Sequence, residues 1–192
     1  MSVKRETSLN GQSADGVVSN HLHDQVQVGD ILEVGPPCGE FILDPAVAAT
    51  RPLVFIAGGV GITPLLSMLN SVVHHGPRQP IHFVQAATNR PRHAFHEELA
   101  TLAHSCPLLT THVRYSQPLA ADRLAARHHS EGTVDRAFLD SLIAKSPPGA
   151  EFYFCGPAPF MRVIAQRLHD HQIADTRIHY EFFGPKLQLT AA

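Results

Sequence analysis

No apolar run in this 192-residue chain approaches the ~20 residues that a membrane-spanning helix requires. The opening Met1-Ser2-Val3-Lys4-Arg5-Glu6 also lacks the apolar core of a signal peptide. Charge of one sign is equally scarce. With 15 basic against 17 acidic side chains and no long single-sign block, neither nucleic acid nor an anionic membrane is an expected partner. Cysteine is sparse and odd in number, and Cys38, Cys106 and Cys155 lie far apart, which argues against a disulfide framework and for a reducing compartment. Histidine is abundant, yet the spacings that make a metal site are missing. His74-His75 and His128-His129 are adjacent pairs whose side chains diverge, and no H-E-x-x-H or C-x-x-C occurs, so no metal is expected. The expectation is a cytoplasmic protein that handles a small soluble ligand.

The chain is long enough for one full domain and part of another. From Pro52 onward its pattern is regular. The apolar run Leu53 to Ile56 precedes a helical pattern of Leu65, Leu66, Leu69, Val72 and Val73, which Gly76 and Pro77 stop. A second strand over Ile81 to Ala87 leads to a helix near Ala94 to Ala103, and Thr110 to Tyr115 reads as a third strand. Asp135 is placed to cap a helix carrying Phe138, Leu139, Leu142 and Ile143. Phe152 to Cys155, Phe160 to Leu168 and Ile178 to Phe182 follow as strand, helix and strand. This alternation predicts an α/β fold with a five-stranded parallel, doubly wound sheet.

In such sheets ligands bind beyond the carboxyl ends of the strands. Two glycine turns fall there: Gly58-Gly59-Val60-Gly61-Ile62-Thr63 and Cys155-Gly156-Pro157. Glycines that reach positive φ, followed by the unpaired N–H groups of a helix N-terminus, suit a dinucleotide pyrophosphate. On that basis a bulky residue at Gly61 is expected to weaken nucleotide binding and leave the fold intact. Each feature has a plainer alternative: a tight connection for the first turn, a small buried hydrophobe for Cys155, a solvated carboxylate for Glu181 and ordinary core for Phe182 and Phe183. The second strand ends Ala87-Thr88-Asn89 without the acid that selects a ribose 2′-hydroxyl, while Arg90 and Arg92 are either 2′-phosphate partners or solvated loop charges. NADH and NADPH both stay open.

Taken together and in order, G-G-V-G-I-T-P, Y-S-Q-P at Tyr115, F-Y-F-C-G-P at Phe152 and H-Y-E-F-F-G-P at His179 resemble the reductase portion of bacterial flavohemoglobins, within the ferredoxin-NADP reductase superfamily. Ser2 to Glu6, Val18 to Asp24 and Val28 to Phe41 resemble the last part of that family's flavin barrel. The resemblance implies an NAD(P)H-dependent flavin oxidoreductase: electrons pass from nicotinamide through FAD to heme, in the nitric oxide dioxygenase chemistry that detoxifies nitric oxide. It implies that Gly58, Gly59, Val60, Gly61, Ile62 and Thr63 cradle the pyrophosphate, that Tyr115 and Ser116 line the adenosine, and that Cys155, Gly156 and Pro157 lie by the nicotinamide. Glu181 would tune the flavin, Val17, Val18 and Ser19 would bind its phosphate, and Phe182, Phe183, Gly184 and Pro185 would lie against its ring.

The same resemblance divides the chain into residues 1–47, a truncated β-barrel remnant of the FAD-binding domain, and residues 48–192, the NAD(P)H-binding domain. Barrel pieces are expected at Ser2 to Glu6, Ile31 to Val34 and Phe41 to Leu43. Against the family pattern, no globin precedes the barrel and no Arg-x-Tyr-Ser segment occurs upstream of Ser19. The expectation is therefore a reductase module that serves a separate heme or globin acceptor and does not by itself oxidise nitric oxide. The alternative is a non-catalytic nucleotide-binding remnant that does not retain FAD.

Overall fold

A computed structural model describes residues 2–8, 14–36 and 38–182, and the chain divides between Glu40 and Phe41 into two compact units. Among its described residues the first unit holds one helix, α1 (Val17–Asp24), whose N-cap is Gly16. Among its described residues there is no strand. The segment expected as barrel strand Ser2 to Glu6 engages α1 instead. Arg5 pairs with Asp24 at 2.6 and 2.9 Å and with Asn20 at 3.0 Å, while the backbone of Glu6 bonds Ser19 Oγ and Gly16 N–H. Its polar groups are thus taken by a helix, and no ladder forms. Ile31 and Val34, in the second expected piece, are exposed.

The second unit begins where the third barrel piece was expected. Phe41 and Leu43 form no strand; they pack on the sheet core, with the Phe41 ring 6.2 Å from that of Tyr153. Asp44 then caps α2 (Pro45–Thr50), accepting from Ala46 N–H at 2.8 Å. The order that follows is β1 (Leu53–Gly58), α3 (Ile62–His74), β2 (Ile81–Ala87), α4 (His96–Ser105), β3 (Leu109–Tyr115), α5 (Ala120–Leu124), β4 (Ser130–Glu131), α6 (Arg136–Lys145), β5 (Glu151–Cys155), α7 (Ala158–Asp170) and β6 (Ile178–Glu181).

All pairings are parallel, in the order β4-β3-β2-β1-β5-β6. Five strands match those expected from the sequence. The sixth, β4, is a two-residue edge piece that the expected five-stranded sheet lacked. The sheet is covered on both faces, as a parallel sheet must be. Leu53, Phe55 and Ala57 of β1 pack with α3 and Leu99 of α4, and Val54 and Ile56 pack with Leu139 of α6 and with Met161, Ile164 and Leu168 of α7. Phe55 sits between Phe83 and Tyr153 at 5.7 and 5.6 Å, a row of rings across β2, β1 and β5. Each such ring removed from water stabilises the fold by about 1.5–3 kcal/mol. Asp135 caps α6 by accepting from Phe138 N–H at 2.9 Å, and Gly76, at φ +76°, ends α3.

Because β1 is flanked by β2 on one side and β5 on the other, the chain runs outward in both directions from this pair. The crevice of a doubly wound sheet opens at that reversal, beyond the carboxyl ends of β1 and β5.

Candidate functional site

Both glycine turns meet at that crevice, and they meet backbone to backbone. A Cβ on Gly61 would lie 2.1 Å from the Cys155 carbonyl oxygen and 2.7 Å from Gly156 N. A Cβ on Gly156 would lie 3.1 Å from Gly58 Cα and 2.7 Å from the Phe160 ring, and one on Gly58 would meet the same ring at 3.0 Å. The expected role of these glycines is thereby corrected. Only Gly59 has positive φ, +55°; Gly58 and Gly61 have φ of −119° and −59°, and Gly61 is needed for close approach. A bulky side chain at Gly61 would displace the end of β5, so the fold would not stay intact as expected.

Gly61 is also the N-cap of α3 and offers no side-chain oxygen to the first turn. Of the first-turn N–H groups there, that of Ile62 is already given to the Gly59 carbonyl, and what the turn offers an anion is the positive end of the helix dipole. Ile62 points into the core, and Thr63 donates its hydroxyl to the Val60 carbonyl at 3.0 Å, which braces the turn from within. Gly59 is exposed with open space beyond its Cα.

Cys155 ends β5 wholly buried, and its thiol donates to the Glu181 carbonyl on β6 at 3.3 Å. Burial, and after it the Glu181 charge, pushes the thiol up to about 12, so it is neutral and no nucleophile at neutral pH. Glu181 is half-buried, and its Oε1 accepts from Phe182 N–H at 3.0 Å. Phe182 is half-buried, packs on the core and meets Tyr180 edge-on at 5.7 Å. Phe183, Gly184 and Pro185 lie outside the described residues.

At the ends of β2 and β3 the expected pair separates. Ser116 is exposed, but Tyr115 is wholly buried. Its ring stacks on His128 at 5.0 Å, and its hydroxyl bonds His93 Nδ1 at 2.7 Å. The remaining bonds settle the direction of that relay. Gln85 gives its amide N–H to Ala94 O, so its Oε1 must accept from His93 Nε2–H at 2.8 Å, and Nδ1 accepts the tyrosine proton. Burial lowers His93 to about 4, with His96 and Arg90 adding to the effect, and the neutral ring this relay requires is present at neutral pH.

Asp122, which sequence reasoning missed, is buried between the two loops. Its Oδ2 accepts from Leu119 N–H at 2.9 Å and from Arg90 N–H at 3.3 Å. An acid at the third position of a helix, reaching back to the cap, was the available signal. Arg90, whose amide Asp122 holds, also lines a pocket of about 230 Å³, together with His93, His96, Leu99, Ala100, Thr111, Val113, Arg127 and His129. Arg127 had not been singled out, whereas the expected Arg92 is exposed and outside that lining.

In the first unit Ser19 Oγ donates to Gly16 O at 3.0 Å and accepts from Glu6 N–H at 3.1 Å. Its hydroxyl thus holds the start of α1, and the exposed Val17 and Val18 present the first-turn N–H groups, with no side-chain cap on the helix.

Comparison with known proteins identifies the family and the fold. Residues 55–166 match the oxidoreductase NAD-binding domain family. The chain is 47% identical over 195 residues to a flavohemoprotein of Rhodopirellula baltica, covering 100% of this chain and 46% of that protein. It is 43% identical over 185 residues to a flavohemoprotein of Halalkalibacterium halodurans, covering 96% and 44%. Among solved structures it resembles the flavohem-like FAD/NAD-binding domain of nitric oxide dioxygenase from Vibrio cholerae, with a TM-score of 0.76, 29% identity, and 95% and 70% of the two chains covered. The chain spans about half the length of the curated relatives it matches.

Proposed function

Since the chain belongs to the oxidoreductase NAD-binding domain family and corresponds to the reductase portion of the flavohemoproteins, we propose that it is an NAD(P)H-to-FAD hydride-transfer module of a flavohemoglobin-type nitric oxide dioxygenase. Electrons leave it for a heme, carried by a globin, or for another acceptor. Residues 1–47 serve the flavin side and residues 48–192 the nicotinamide side. The observation that carries this reading is the contact of Gly61 with Cys155 and Gly156, which puts an uncapped helix N-terminus and a buried thiol at one crevice.

The residues fit a dinucleotide. The positive end of the α3 dipole suits an anion, Gly59 leaves room for it, and Ser116 is exposed at the adenosine side. Taken by itself, the first unit offers α1 N–H groups at Val17 and Val18 that suit a flavin phosphate; taken by itself, the second offers the half-buried ring of Phe182. Bound FAD supplies the redox chemistry, taking hydride from the nicotinamide. The chain itself contributes orientation. Gly61 and Gly156 let the turns close, Cys155 walls the crevice without adding charge, and Glu181 holds a negative charge that disfavours further negative charge nearby.

Purified protein tests the proposal. A yellow preparation whose flavin absorbance bleaches on addition of NADH or NADPH supports it. Protein that stays colourless after FAD is supplied, yet still binds the nucleotide, is the non-catalytic nucleotide-binding remnant and removes the reductase reading.

A further inference from the structure

The end of β2 lacks an acid in sequence, but the fold supplies one from elsewhere. Asp122, on α5, brings its carboxylate to the backbone N–H of Arg90, three residues past β2, and to that of Leu119 in the loop after β3. The two loops are already joined, since Gln117 N–H bonds Thr88 O at 2.9 Å and Ser116 N–H bonds Ala87 O at 3.0 Å. The main-chain oxygen of Asp122 also accepts from Arg127 N–H at 3.1 Å. This one residue therefore holds three segments at the place where a doubly wound sheet meets the adenosine ribose.

Its charge acts there with little screening. Asp122 is 2% exposed, and Tyr115 responds to it: the phenol is pushed up first by burial and then by Asp122. The Arg90 guanidinium is turned to the His96 ring, and that of Arg123, on which the Asp122 charge also acts, pairs with Glu131. Arg127 reaches the same pocket wall.

We infer that Asp122 is a specificity-determining residue whose buried carboxylate favours NADH over NADPH by opposing the 2′-phosphate. The inference rests on the nucleotide-binding reading above. It deepens that reading by replacing the acid usually found at the end of the second strand with one delivered by α5.

Fluorescence titration of the full chain with NADH and NADPH tests it. Wild-type protein is expected to bind NADH more tightly. Asp122→Asn keeps the acceptor oxygen and removes the charge, and should raise the ratio of NADPH to NADH affinity about tenfold. Asp122→Glu keeps the charge and should hold the wild-type preference. A ratio unmoved by Asp122→Asn overturns the inference and leaves the proposed function standing. Should Asp122→Asn fail to fold, competition on wild-type protein decides. Weaker binding of 2′-AMP than of 5′-AMP supports the role, and equal or tighter binding of 2′-AMP overturns it. Wild-type protein that binds neither dinucleotide overturns the proposed function and this inference with it.

Discussion

The crevice has two ends built on opposite principles. At β1 and β5 the contact is steric, with the main chain of Gly61 pressed on Cys155, that of Gly156 on Gly58, and the Phe160 ring packed against Gly58 and Gly156. At β2 and β3 the loops are held by side chains: Asp122 on two amides, and Tyr115, His93 and Gln85 in a buried relay. The first end is steric and indifferent to pH; the second is polar and carries titrating groups. A ligand spanning both would find shape at one end and charge at the other.

The largest expected effect tests the steric end. In Gly61→Ala the new Cβ meets the Cys155 carbonyl, a backbone atom that no rotamer change can move. Destabilisation of about 3 kcal/mol is expected, read as a lower urea midpoint. An unchanged midpoint would show that the turns separate easily, and the contrast between the two ends would fail.

Next comes the polar end. His93→Phe keeps a ring but leaves the Tyr115 hydroxyl and Gln85 Oε1 buried without their partner, which should cost about 2 kcal/mol in the same measurement. Tyr115→Phe in that background should add little, since the two residues act as one unit. Additive losses would break the relay into independent contacts.

A smaller effect distinguishes the ends by pH. His93 binds a proton near pH 6.5 when unfolded and only near about 4 when folded, so between those values the unfolded chain holds more protons. The contribution of His93 to stability is therefore present above about pH 6.5 and lost as pH falls towards about 4, on the order of 1 kcal/mol after solvent screening. Urea midpoints at several pH values should fall along that window in wild-type protein and flatten in His93→Gln. A slope that persists in the variant would assign the pH dependence to other groups.

These two ends were unequally legible in the sequence. Apolar runs located β1, β2 and β5, and the patterns of β3 and β6 placed them too, all to within two residues, because strand patterning is a local signature. Asp135 announced its cap for the same local reason. The purpose of Gly61 was not local: what forbids a Cβ there is the end of a strand far along the chain. The burial of Tyr115 was not local either, because its covers, His93 and His128, come from separate loops. The short strand β4 has a polar sequence and forms where His129 supplies a ring nitrogen to Val113 N–H and an amide to Val113 O. The barrel pieces failed as strands because strand formation depends on a neighbour, and helix α1 and the sheet core took their groups.

The smallest effect concerns Cys155, which sits at the steric end and should behave as part of its wall. With the thiol held up near about 12, only about one molecule in 10⁵ carries the reactive thiolate at pH 7, and the sulfur is buried besides. Cys38 is exposed. Brief iodoacetamide treatment of folded protein should therefore label Cys38 and spare Cys155, as read by peptide mass spectrometry, and labelling of Cys155 should appear only in urea. Supplying NADH should change nothing at Cys155, since a residue already sealed by the Gly61 contact has no further protection to gain. Rapid modification in the folded state would mean that the two turns open on the timescale of the reaction, and the end described as rigid would be the mobile one.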